Sequence, residues 1–256
     1  MVDIKSGREI ELIKESCKIT AMAHKAVADA IRPGISTLEL DRIAEEVIRA
    51  NGAIPSFKNY PSRLKGVQNF PATACISIND EVIHGIPSRN RIIQDGDVVS
   101  IDLGAYKNGF HGDMARTIVV GKADDKKRRL VEVTKQAFFE GMKFAKVGYR
   151  IGDISHAIGS FVEKNGFSVV KDFQGHGVGR ILHEDPAIPN YGKPDKGIRI
   201  EPGMTLAIEP MVNMGESEVE ELDDGWTVVT KDGMISSHYE NTILTTEKEP
   251  EVLTIV

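Results

Sequence analysis

Residues 32–52 (Arg-Pro-Gly-Ile-Ser-Thr-Leu-Glu-Leu-Asp-Arg-Ile-Ala-Glu-Glu-Val-Ile-Arg-Ala-Asn-Gly) align without a gap with residues 146–166. Gly34 falls on Gly148, Leu40 on Ile154, Val47 on Phe161, and Asn51-Gly52 on Asn165-Gly166. Each copy reads as a turn, an amphipathic helix with apolar residues three and four apart, and an Asn-Gly stop. A longer helix is expected before each copy, roughly over 7–31 and 126–145, and a set of strands behind each, around 73–121 and 168–246. Agreement in helix, helix and strand favours an internal duplication over chance. The expectation is an α+β fold of two related halves, about 7–121 and 122–250, forming one pseudo-symmetric domain over 1–256 with its active site where the halves meet.

The halves also share an acid. Asp95-Gly96-Asp97-Val98-Val99-Ser100-Ile101-Asp102 and Glu201-Pro202-Gly203-Met204-Thr205-Leu206-Ala207-Ile208-Glu209 each launch an apolar strand from a Gly turn and place a carboxylate six positions after that Gly. An acid at the end of an apolar strand costs several kcal/mol unless a cation receives it. Residues 97–104 read as a buried strand, and Asn108-Gly109 as a hairpin turn. The returning strand carries Asp113, so Asp102 and Asp113 should lie on neighbouring strands. With His176, Glu209 and Glu240 they make four carboxylates and one imidazole. Packed together, four anions repel unless neutralised, and two divalent ions would balance them while leaving a bridging water acidic near neutral pH. Carboxylates with one imidazole and no thiolate suit manganese, iron(II), cobalt or zinc in a catalytic role better than a structural zinc.

Other classes find little support. A net charge of -6 argues against an electrostatically held nucleic acid. Cys17 and Cys75 are too few for a disulfide framework, no secretory signal is visible, and no apolar run reaches the roughly 18 residues of a membrane span. A reduced, cytoplasmic, soluble protein is expected. The run Lys122–Arg129 mixes both signs and reads as a solvated linker and helix start. There is no G-x-S-x-G elbow, no phosphate-binding G-x-x-x-x-G-K-[ST] loop and no H-E-x-x-H helix; His183-Glu184 is followed by Asp-Pro. His24, His111, His156 and His238 have only structural roles to recommend them, and Trp226 could anchor either the core or a pocket.

The motifs Ile101-Asp102-Leu103-Gly104, Gly112-Asp113-Met114-Ala115-Arg116-Thr117, Gly175-His176-Gly177-Val178-Gly179, His183-Glu184-Asp185-Pro186, Ile208-Glu209-Pro210 and Glu240-Asn241-Thr242 resemble those of the type I methionine aminopeptidases. So does Cys75–Pro87, and the resemblance spans essentially the whole chain in order. It implies the pita-bread fold, two pseudo-symmetric halves around a central antiparallel sheet. It also implies two divalent ions drawn from cobalt, manganese, iron(II), zinc or nickel. One would be held by Asp102, Asp113 and Glu240. The other would be held by Asp113, His176, Glu209 and Glu240. In that scheme a metal-activated water attacks the carbonyl after an N-terminal methionine, favoured when the second residue is small. Glu209 shuttles the proton, His183 hydrogen-bonds the carbonyl, and His84 contacts the amide nitrogen. Arg116 would pair with a ligand carboxylate. The methionine pocket would be lined by Tyr60, Phe70, Cys75, Leu182 and Trp226, with His84 at its edge; aromatic and sulfur contacts suit a thioether.

The implied substrates are nascent polypeptides bearing N-terminal Met, met in transient contact with the ribosome; no nucleic acid, membrane or second subunit is called for, so a monomer is expected. Only 32 residues separate His176 from Glu209, too few for the helical insertion of type II enzymes, and no zinc-finger extension is seen, which fits the short bacterial form. Two features depart from the family pattern: residues 61–68 look inserted, and Phe57 stands where a small or sulfur residue is common. Two other readings compete, an X-prolyl aminopeptidase or prolidase sharing the metal motif, and a non-catalytic binding module of the same fold.

Overall fold

The structure is a computed structural model that describes residues 2–256. The first part of the chain forms α1 (Gly7–Ala30), α2 (Thr37–Ala50), β1 (Ile54–Pro55), β2 (Ala74–Ile78), β3 (Glu81–Ile83), β4 (Val98–Lys107) and β5 (Phe110–Val119). The second forms α3 (Asp125–Met142), α4 (Ile151–Lys164), β6 (Ser168–Val169), β7 (Gln174–Gly177), β8 (Glu184–Pro189) and β9 (Thr205–Ile208). It continues through β10 (Met211–Asn213), β11 (Val219–Glu221), β12 (Val228–Thr230), β13 (Ser236–His238), β14 (Asn241–Leu244) and β15 (Glu251–Val252). None of the helices among the described residues is long and apolar enough to cross a membrane.

Local chemistry sets the helix ends. Ser6 and Glu9, and again Ser36 and Glu39, form reciprocal capping boxes that start α1 and α2. The repeated segments become α2 and α4, which start and stop at equivalent positions: Thr37 and Ala50 in one, Ile151 and Lys164 in the other. Asp124 caps α3, so the mixed-charge run at 122–129 is indeed a linker leading into a helix. Gly96 and Gly203 have φ of +88° and +92°, a conformation that glycine alone adopts without strain, just before β4 and β9.

β4 is the axis of the first sheet, paired with β1, β2 and β5. Its alternate residues Val99, Ile101, Leu103 and Ala105 pack against Ile19 and Val27 of α1 and Leu40 and Ile48 of α2. The other face carries Ser100, Asp102 and Gly104. The second sheet has the order β15-β14-β9-β7-β8, and Leu206 and Ile208 of β9 pack with Leu130 and Phe138 of α3 and Ile154 and Ile158 of α4. The two sheets are stitched together along β5 and β14. There Glu240 N–H donates to Ala115 O at 2.9 Å, while Thr242 Oγ1 accepts from Asp113 N–H at 3.0 Å and donates to Asp113 O at 2.9 Å. At Gly112, beside this seam, a Cβ would lie 2.5 Å from Cys17 N, so the absence of a side chain lets α1 lie directly on β5.

Two expectations are revised. β4 runs past residue 104 to Lys107, because its ladder with β5 continues to the Asn108-Gly109 turn; Asp102 therefore sits inside the strand and not at its tip. Glu209, by contrast, is the first residue beyond β9. The later strands also include two further small sheets, β6-β10-β13 and β3-β12-β11, the second joining a strand from each part of the chain.

Buried His24 on α1 has Nε2 3.2 Å from Ile101 O. Burial, then the Arg116 charge, draws its pKa down to about 4 from 6.5. The folded protein thus holds fewer protons here than the unfolded chain between those values, so stability is complete above about pH 6.5 and lost as pH falls towards 4. His24→Gln should lose up to about 3 kcal/mol less than wild type between pH 7 and 4, read from urea unfolding at the two pH values. Equal losses would show that this imidazole is not an acid-sensitive element.

Candidate metal centre and substrate cavity

Strand pairing decides which way the acids face. Cys75 lies opposite Asp102, and Asp113 opposite Gly104. Directly paired residues of an antiparallel ladder share a face, so Asp102, Cys75 and Asp113 all turn away from the helices. In the second sheet His176 pairs with Ala207 and Asn241 with Ile208. Glu209 and Glu240 come immediately beyond that last pair, one leaving β9 and one preceding β14. The β5–β14 seam brings the two sets together. Donor atoms of Asp113, His176 and Glu240 lie within 4.8 Å of one another, all three residues buried. His176 Nδ1 is 2.8 Å from Gly177 O; with the ring proton there, the Nε2 lone pair faces Glu209 Oε1 at 3.5 Å and Asp113 Oδ2 at 3.9 Å.

Among the described residues the Arg116 charge, which acts on Glu240, offsets only part of this charge. Asp102 Oδ1 and Glu240 Oε1 are buried without a hydrogen-bond partner. Burial first, then neighbouring carboxylates, drives the Asp102, Glu209 and Glu240 carboxyls well above the ordinary range, and burial lifts Asp113 to about 7. Burial likewise lowers His176 to about 4, which favours the neutral, ligating form. Four neighbouring acids, two of them with an unpartnered buried oxygen, and a neutral imidazole form a donor set that fits divalent cations.

These groups form the floor of a cavity of about 340 Å³. One wall is formed by Phe57, Tyr60, Phe70, Cys75, Leu182 and Trp226, members of a separate apolar cluster that Ala72 and Ile86 complete behind them. Phe70 meets Trp226 edge to face at 5.2 Å, and Trp226 Nε1–H is tied to Gln68 O at 2.9 Å. His84 reaches the cavity from a left-handed backbone position, φ +61°, at the end of β3. Such a conformation is costly for a non-glycine residue and is held only by its surroundings. His183 lines the cavity with its ring 4.3 Å from that of His176, and Tyr60 Oη lies 2.7 Å from His183 Nδ1.

The structure adds residues that sequence reasoning passed over. His238 Nε2 lies 3.3 Å from Glu209 Oε2; its place two residues before Glu240 was the only signal. Arg63 lines the cavity from the 61–68 loop, together with Pro61, Ser62 and Leu64. Arg116 is also placed differently from expectation. Among the described residues it bonds no carboxylate, but donates to the backbone oxygens of Ala115 and Glu240 and to Asn241 Oδ1, with its guanidinium 4.1 Å above the Tyr239 ring. The Glu240 side chain points the other way, into the cavity, so the arginine supports the backbone of the seam.

Comparison with known proteins agrees in extent and in shape. Residues 11–247 match metallopeptidase family M24. A methionine aminopeptidase of Clostridium perfringens is 50% identical over 256 residues, covering 100% of both chains. The crystal structure of a methionine aminopeptidase from Thermotoga maritima superposes with a TM-score of 0.96 at 42% identity, covering 100% of each. The prolidase from Pyrococcus furiosus matches less well, with a TM-score of 0.77 at 27% identity, over 99% of this chain and 65% of the prolidase. The fold is therefore the pita-bread fold that these enzymes share, and the chain belongs to the methionine aminopeptidases of metallopeptidase family M24.

Proposed function

We propose that this protein removes the N-terminal methionine from peptides and nascent chains, with a preference for a small second residue, as one catalytic domain built from two related halves. The observation that carries this reading is that the acid and histidine cluster and the aromatic and sulfur-lined wall share one cavity. A thioether side chain resting on Phe70, Cys75, Leu182 and Trp226 would bring the first peptide bond over the acids.

Asp102, Asp113 and Glu240 would hold one divalent ion, and Asp113, His176, Glu209 and Glu240 a second; manganese, cobalt, iron(II), zinc and nickel all suit these donors. Bound there, such ions supply Lewis-acid polarisation of the carbonyl and acidification of water. The free amine of the substrate would add a ligand that no internal peptide bond offers, which would confine cleavage to the first bond.

The side chains do the rest. Glu209 takes a proton from the attacking water and returns it to the leaving amine nitrogen, with His238 Nε2 3.3 Å from its Oε2. His183 donates to the carbonyl oxygen as negative charge develops on it. With the Tyr60 phenol donating to Nδ1, the ring proton of His183 sits on Nε2, the side free to serve the substrate. His84, fixed by its strained backbone, contacts the amide nitrogen of the bond being cut. Tyr60 and residues 61–64 line the same cavity, and lying beyond that bond they would leave room only for a small second residue.

Tyr60→Phe should lower kcat by about five- to tenfold with little change in KM, since one hydrogen bond of roughly 1 kcal/mol then no longer fixes the tautomer. Steady-state kinetics decide this, and an unchanged kcat would remove Tyr60 from the mechanism.

The function itself is tested with purified protein, added manganese or cobalt, and Met-Ala-Ser. Methionine release that a chelator stops and metal restores is expected. Preferential cleavage before proline would favour the prolidase reading, and no cleavage at all would favour a binding module.

A further inference from the structure

Six of the side chains lining the cavity are acids and only one, Arg63, is a cation apart from the histidines. Asp102, Asp113, Glu209 and Glu240 belong to the floor, while Asp172 and Glu221 are exposed. Arg63 makes no hydrogen bond or ion pair among the described residues, so its guanidinium is not consumed within the fold.

The loop that carries it is framed at both ends. Asn59 N–H donates to Phe70 O at 2.8 Å and Phe70 N–H to Tyr60 O at 2.9 Å, closing the neck. Farther along, Gln68 O accepts from the Trp226 indole, and Val67 packs on Gly225, where a Cβ would come within 2.8 Å of the valine methyls. Within the loop, Leu64 N–H bonds Ser62 Oγ at 3.1 Å and Val67 N–H bonds Leu64 O at 3.3 Å. Arg63 therefore lines the cavity from a supported turn. Its positive field falls on His84 and His183, the two groups proposed above to contact the scissile bond, and on the Tyr60 phenol.

Given the methionine aminopeptidase reading, on which this rests, we propose that Arg63 forms a carboxylate subsite just downstream of the scissile bond. The planar guanidinium fork matches a carboxylate in two parallel hydrogen bonds. The ligand chemistry has two sources: the terminal carboxylate of a di- or tripeptide, or an acidic side chain at the second or third residue of a longer chain. Without this arginine the exposed acids of the lining, Asp172 and Glu221, would repel such a group.

The test compares kcat/KM within matched substrate pairs, so that any general effect of substitution cancels. Met-Ala-Ser is compared with its C-terminal amide, and Met-Ala-Asp-amide with Met-Ala-Asn-amide. In wild type the charged member of at least one pair should be favoured about two- to fivefold, the range of an exposed charge pair. That ratio should shrink at about 1 M salt. Arg63→Ala should bring it to about one, Arg63→Glu below one, and Arg63→Lys should restore part of it. A response in the first pair alone identifies the terminal carboxylate as the ligand; a response in the second alone identifies the side chain. Ratios that are the same in wild type and all three variants, with methionine still released, overturn the subsite and leave the activity standing. Absence of methionine release from every peptide by wild type would overturn the underlying reading as well.

Discussion

Glu209→Gln is expected to lower methionine release by between about 10² and 10⁴-fold, the range for removing a positioned proton carrier, while the protein keeps its fold. Glutamine preserves the shape and one acceptor oxygen but cannot accept the proton of the attacking water. The substitution also removes one of four neighbouring, mutually repelling carboxylates. The metal-free variant should therefore melt no lower than metal-free wild type. Peptide hydrolysis and thermal unfolding of the metal-free protein separate the two effects. Near-normal turnover would exclude Glu209 as proton carrier, and a much lower melting temperature would mean that its charge is satisfied within the fold.

Asp113→Asn should be at least as damaging, about 10³-fold or more, because this one residue is proposed to serve both ions and so removes several kcal/mol of charge stabilisation. The asparagine amide would retain an oxygen to accept from Met114 N–H, as Asp113 Oδ1 does at 3.1 Å, and leave the backbone seam with Thr242 intact. The loss should thus appear in metal affinity and activity rather than in folding. Calorimetric titration with manganese should show both binding events weakened. Loss of a single event with the other unchanged would show that Asp113 does not bridge.

Much of this architecture is written in short-range patterns. The Ser-x-x-Glu boxes at Ser6 and Ser36, the period of the apolar residues in α2 and α4, and the Asn-Gly turn after β4 each act within a few residues, so they can be read without knowing what they pack against. The length of β4 could not be read in this way. Tyr106 and Lys107 look like loop residues, and only the long ladder with β5 keeps them extended. The same holds for β3 and β12, short strands whose pairing depends on distant parts of the chain.

At the site, residue types pointed to metal chemistry because acids on apolar strands are expensive wherever they occur. His238 carried no such mark, since its role comes from an approach to Glu209 that two separate strands create. Arg116 misled for a related reason. An arginine three residues from an acid suggests an ion pair, yet successive side chains of a strand alternate faces, and the backbone oxygens of the seam claimed the guanidinium instead. Arg63 lies in a segment without periodicity, and only the fold places it over the cavity.

Asp102, Asp113, His176, Glu209 and Glu240 are proposed to hold jointly a pair of divalent ions at the junction of the two sheets. Anomalous diffraction from crystals soaked in manganese tests it most directly. The account predicts two anomalous peaks, one contacted by Asp102, Asp113 and Glu240 and the other by Asp113, His176, Glu209 and Glu240. Manganese absent from this cluster, or bound there without His176 and Glu209, would contradict it.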